Sequence, residues 1–234
     1  MANKKAGKVV GKETGKATRK AIGKRATATR RTQDERRRAT QEAILEAAID
    51  LLVEEGYARF STIAVAKRAR VSRGARENYF PSKYDLIAAV WRAALIRAQE
   101  HARELARRLR GPATIDRFIR DSESFFLSRV YTALLELMMA ARTDPRLARL
   151  FHHLYDEFRQ SHDDIWIEAL VKEGYRRPRV QALVRSTQYL LRGMAMTAFW
   201  QASHASFQSA LRDWRALAPL YLTLDIGRAR PGRK

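Results

Sequence analysis

Behind the turn "RVS" stand Arg73, Arg76, Glu77 and Asn78, preceded by Ser72 and followed by Tyr79 and, past Pro81, by Lys83. Two guanidinium groups and a carboxamide on one short segment are candidates for contacts with base edges or with a phosphate backbone. Glu77 is the exception, because a carboxylate repels phosphate. It can accept from a cytosine amino group, or it can hold Arg73 or Arg76 in place within one turn. No comparable set of catalytic groups occurs. Phosphate-loop, nucleophile-elbow and dinucleotide fingerprints are all missing, so no enzyme is expected. His152 and His153 point about 100° apart on a helix, and His162–Asp163 carries no zinc-protease pattern, so neither a metal nor another cofactor is expected.

Local signals place these residues on short helices. Ser61 caps one helix running through Ala69, with Thr62 in its first turn and Ile63, Val65 and Ala66 able to face inward. Ser72 caps the next, which runs to about Asn78, and Pro81 prevents its continuation. Ser82 with Asp85 forms a capping box for the helix after that. Upstream, Thr32 with Glu35 forms another box and predicts a helix over 33–55 that ends at Gly56. Short helices joined by a tight turn describe a helix-turn-helix, in which the helix opened at Ser72 enters the major groove.

The charge agrees with that chemistry. Lys and Arg number 46 against 25 Asp and Glu, giving +21, which points to a polyanionic partner. Residues 1–38 hold 14 basic and 3 acidic side chains, so about half of the excess lies in the first sixth of the chain. Only Val9, Val10 and Ile22 are bulky and apolar among residues 4–31, and an unstructured tail is expected over 1–31. Lys8, Lys12, Lys16, Lys20 and Lys24 recur every fourth residue. They would grip phosphate without reading sequence, or serve only as a solubilising extension. There is no cysteine, which excludes disulfides and thiolate ligands. No apolar run is long enough to cross a membrane, and no secretory signal follows the basic start, so a cytoplasmic, nucleoid-associated protein is expected.

The remainder reads as an unbroken series of helices over 83–109, 114–127, 128–143, 146–173, 179–201 and 204–225, punctuated near Pro112, Pro145 and Pro178. The expected fold is all-α. A tail (1–31) precedes a helix-turn-helix domain (32–82), then a larger helical bundle (83–226) and a short C-terminal tail (227–234).

The stretch "ILEAAIDLLVEEGYARFSTIAVAKRARVSRGA" followed by "YFPSKYDLIAAV" resembles the DNA-binding domain of the TetR family of bacterial transcriptional regulators. The likeness extends from Ala39 to Val90. It runs through Glu55-Gly56-Tyr57, Ser61, Val65-Ala66, Val71-Ser72 with Gly74, and Tyr79-Phe80 with Ser82-Lys83. It implies that Tyr79 and Lys83 reach backbone phosphate, Thr62 with them, and that Ser72, Arg73, Arg76, Glu77 and Asn78 face DNA. Two departures stand out. Arg70 occupies a turn position where many relatives carry glycine, and Glu77 replaces a tyrosine.

The resemblance further implies a homodimer formed through the last two helices on a near-palindromic double-stranded operator, acting as a repressor. It also implies a small lipophilic effector in the helical body. Phe118, Phe125, Phe126, Met138, Met139, Tyr155, Phe158, Trp166 and Tyr189 are candidates to line that pocket, although residues of these types at helical spacing also build cores. Glu136, inside "ALLELMMAA", needs a partner, with Arg129 and Arg142 as candidates or a cationic effector in their place. The competing readings are a weakly specific, DNA-coating architectural protein driven by the basic tail, and a hydrolase or lipid carrier in the helical body.

Overall fold

The computed structural model describes the backbone of residues 13–108, 113–199 and 204–223, and the side chains of 32–108, 113–154, 162–199 and 205–223. Every regular element among the described residues is helical, giving an all-α fold: α1 (Glu13–Arg59), α2 (Thr62–Arg68), α3 (Arg73–Tyr79), α4 (Lys83–Arg108), α5 (Ala113–Phe126), α6 (Arg129–Ala140), α7 (Pro145–Lys172), α8 (Arg177–Thr197) and α9 (His204–Thr223).

The start of α1 corrects the expected helix start at Thr32. The backbone is helical from Glu13, because Ala, Lys and Arg propagate a helix readily. Gly15 and Gly23 weaken it by roughly 1 kcal/mol each without stopping it. Lys8 and Lys12 lie outside the described residues. Gly56 breaks α1 near its C-terminus with φ 72° and ψ 173°, a conformation that favours glycine.

The caps of α2, α3 and α4 form as the sequence predicts, whereas the Thr32–Glu35 box lies inside α1 and opens no helix. The Ser61 and Ser72 hydroxyls accept from the Ala64 and Ala75 amides, each at 3.1 Å. At the entrance to α4, the Ser82 amide donates to the Asp85 carboxylate (2.9 Å) and the Asp85 amide donates to the Ser82 hydroxyl (3.1 Å). Pro145 and Pro178 sit inside the first turns of α7 and α8, where a missing N–H does no harm. Between α2 and α3, Arg70 takes up φ 56°, the left-handed geometry expected at this glycine-like position.

Two apolar clusters hold these helices. The first joins Ile44, Leu51 and Leu52 of α1 to Val65, Phe80 and Leu86, and continues without a break into Trp91, Leu134, Leu137, Phe151, Leu191 and Leu211. The helix-turn-helix thus shares its core with the body. The second cluster surrounds Phe118 and Trp166, between α5, α7, α8 and α9. Ile63, expected to face inward, is 66% exposed, because the buried side of α2 is carried by Val65 and Ala66. On α8 and α9, Tyr189, Met196, Leu217 and Leu220 are exposed, as is Phe199 just beyond α8, while Leu183, Leu191, Leu211 and Leu222 are buried.

Candidate nucleic-acid interface and the cavities behind it

Helix α3 has two unlike sides. Ser72, Arg73, Gly74 and Asn78 are exposed, and three-quarters of the Arg73 side chain is open to solvent. Lys67 and Arg70 are exposed beside them. Arg76, expected to face DNA, instead turns inward and is 3% exposed. Its guanidinium donates to the Phe80 carbonyl at 2.8 Å and to Glu77 at 3.1 Å, tying the end of α3 to the strand-like exit before Pro81. A charged donor satisfies the carbonyl of Phe80, whose extended backbone lies outside the helical ladder.

Glu77 accepts from Arg73 Nε at 2.8 Å as well as from Arg76. The two guanidinium groups hold its carboxyl below the usual carboxylate range. It is therefore an ionised clamp between two arginines, the second of the two roles open to it. Tyr79 is half-buried against the core beside Phe80, and Thr62 is half-buried in the first turn of α2.

Lys83 is half-buried and packs on aromatic rings. Its ammonium lies 3.9 Å from the centre of the Tyr57 ring and 5.5 Å from that of Phe60. Burial pulls its pKa down, while Asp144 acts in the opposite sense. A cation on aromatic faces is already satisfied locally.

These contacts belong to a joint between head and body that sequence reasoning missed. Asp144 caps α7 by accepting from the Arg146 and Leu147 amides, both at 3.0 Å. The same carboxylate accepts from the hydroxyls of Tyr57 (2.9 Å) and Tyr84 (3.1 Å), and these bonds keep it ionised below the ordinary range. Tyr57 is pushed up in turn, first by burial and then by its bond to Asp144. Glu136 meets neither Arg129 nor Arg142. Arg129 pairs with Asp50 of α1, and Glu136 Oε2 accepts from the Tyr57 amide at 3.4 Å. Glu136 also lies 3.2 Å from where a Cβ on Gly56 would stand, so the glycine both turns the chain and admits the carboxylate. The Asp-Pro step at 144–145 is a local signal that could have found the α7 cap, but nothing local announces the tyrosines that reach it.

Among the described residues, two of the body's cavities adjoin each other. The larger, about 300 Å³, is lined by Phe125, Phe126, Tyr131, Met138, Met139 and Arg192, among others. Four of the nine pocket candidates therefore line it. Phe118 and Trp166 do not: both are buried in the second core cluster, their rings 5.6 Å apart. Tyr189 is 63% exposed on the outer face of α8, and Tyr155 and Phe158 lie outside the described side chains. The smaller cavity, about 220 Å³, lies between α1, α4 and α5 and is reached by Asp121 and His162. Among the described residues no cluster of metal-ligating side chains occurs, and no helix is long and apolar enough to cross a membrane.

This geometry agrees with comparisons to known proteins. Residues 44–90 match the model of the bacterial regulatory proteins of the tetR family. The HTH-type transcriptional regulator CymR of Pseudomonas putida is 32% identical over 203 residues, covering 86% of this chain and 95% of the relative.

The chain belongs to the TetR family.

It is a DNA-binding transcription regulator, a member of a family of regulators rather than of enzymes. Solved structures of lower identity share the fold. A putative TetR-family regulator from Mesorhizobium loti matches with a TM-score of 0.60 at 16% identity, over 80% of this chain and 96% of that one. A putative transcriptional regulator from Saccharomonospora viridis, solved in complex with choline, matches with a TM-score of 0.59 at 18% identity, over 76% and 95%. TetR-family regulators bind DNA and usually act as dimers.

Proposed function

We propose that this regulator is a cytoplasmic homodimeric repressor that binds a near-palindromic operator and is released by a small effector. The observation that carries this reading is the division of α3. Its N-terminal rim and Asn78 face outward while Arg76, Glu77 and the Phe80 exit brace it from behind. Base contacts fall to Arg73 and Asn78, with Ser72, Lys67 and Arg70 close enough in sequence to join them on the phosphates. Two such helices, one from each subunit, would read half-sites separated by a helical turn or a multiple of it.

The exposed apolar residues on α8 and α9 supply a partner surface for the second copy. The larger cavity, built from aromatic and methionine side chains, supports an effector site, and a solved structural relative binds choline. Because α6 lines that cavity and also carries Glu136 against Gly56, an occupant that moves α6 would shift the head. Selection of bound fragments from genomic DNA, followed by sizing of the complex, tests the reading. A shared near-palindromic motif bound by two subunits is expected; fragments without a common motif would point instead to a coating protein.

A further inference from the structure

The smaller cavity differs in chemistry from the larger one. Its walls are mainly aliphatic, with Leu45 and Ile49 contributed by α1 and Val90 and Ala94 by α4. Polar groups line it too, among them Arg97, His101, Ser124, Ser128, His162 and the carboxylate of Asp121. Asp121 is only 7% exposed, and its Oδ2 accepts from Trp166 Nε1 at 2.9 Å. Its Oδ1 has, among the described residues, no hydrogen-bond donor in reach: His101 Nε2 lies 3.6 Å away. That oxygen is an acceptor that an incoming hydroxyl can meet.

The surroundings restrict what that donor can be. Arg97 lines the same chamber and opposes a cationic guest, while Asp121 itself opposes an anion. His162 adjoins the chamber, and burial keeps its imidazole below the ordinary range despite the attraction of Asp121 and Asp163, with Arg103 adding to the depression. His162 therefore enters as a neutral ring. A volume of about 220 Å³ admits one ring and not a long chain.

We propose that this chamber is a second ligand site, distinct from the larger cavity, which takes a neutral one-ring molecule whose hydroxyl donates to Asp121 Oδ1. Because Leu45 and Ile49 belong to α1, an occupant presses directly on the helix that carries the reading head. This effect on DNA rests on the regulator reading above; the binding itself does not.

The test is calorimetry on the full chain without DNA, using 4-methylphenol and three analogues that keep the ring and methyl group: the methyl ether, 4-methylbenzoate and 4-methylbenzylammonium. The phenol is expected to bind, with the ether at least ~10-fold weaker. Asp121→Asn, which can still accept from Trp166, and Ala94→Leu, which fills only this chamber, are each expected to weaken the phenol by ~10-fold or more. Near-UV circular dichroism establishes that both variants are folded. If either fails to fold, the order of the four compounds on the natural chain decides alone. An ether as tight as the phenol, a charged analogue that binds best, a folded Ala94→Leu protein with undiminished affinity, or no binding at all overturns the proposal. A parallel DNA titration separates the two accounts, since loss of operator specificity would sink the regulator reading and leave phenol binding untouched.

Discussion

The outer rim of α3 and the interior around Trp166 treat polar groups in opposite ways. On the rim, Arg73 and Asn78 stand in solvent and are available to an incoming partner. Inside, Trp166 Nε1 finds its acceptor in Asp121 Oδ2 between packed helices, and a removal of the indole there damages the fold before it damages recognition. Arg76 joins the two regimes: it lies on the recognition helix yet behaves like a core residue. Position on a DNA-reading helix therefore does not by itself make a side chain a reader.

Substitutions graded from core to surface should widen or collapse this contrast. Trp166→Ala empties a fully buried site and leaves Asp121 without its donor, so a loss of roughly 3–5 kcal/mol is expected in chemical denaturation. Arg76→Met keeps the volume but removes the bond to the Phe80 carbonyl. Stability should fall by about 1.5–3 kcal/mol, while Arg73→Ala, already solvent-facing, should leave the melting temperature nearly unchanged. Equal melting temperatures for the two variants would erase the distinction between brace and reader.

Arg70→Gly relieves a left-handed backbone and should stabilise the isolated protein by about 0.5–1 kcal/mol, allowing for the greater freedom of glycine when unfolded. A melting temperature that drops would show that the arginine side chain has a structural task of its own.

The smallest effect concerns acid. Asp144 has a folded pKa below its ordinary 3.8, so its contribution to stability is present above about pH 4 and is lost as the pH falls through the depressed value. Asp144→Asn should flatten that part of the stability–pH curve, measured by denaturation between pH 2 and pH 5. An unchanged curve would remove the tyrosine–carboxylate joint from the account.

Much of the head was legible because its signals are local. Ser61, Ser72 and the Ser82–Asp85 box act within three residues, and the unusual backbone at Gly56 and Arg70 is a property of the turns themselves. The facing of Arg76 was not legible, since its partner, the Phe80 carbonyl, comes within reach only once α3 has ended in the extended backbone of Phe80. Ile63 was misjudged because two neighbours, Val65 and Ala66, fill the inner face of so short a helix. In the body, aromatic and methionine residues at helical spacing suit a core and a pocket alike. Phe125 and Met138 therefore could not be told from Phe118 and Trp166 until the helices were packed. The separation between Tyr57 and Asp144, 87 residues, put the joint beyond any local pattern.

The most direct measurement is the affinity of the natural chain, and of Asn78→Ala and Arg73→Ala, for a selected operator and for a shuffled duplex at one fixed salt concentration. The account predicts an operator preference of about a thousandfold or more, reduced by roughly ten- to a hundredfold in each variant. A preference near unity, or one that both substitutions leave intact, would contradict it.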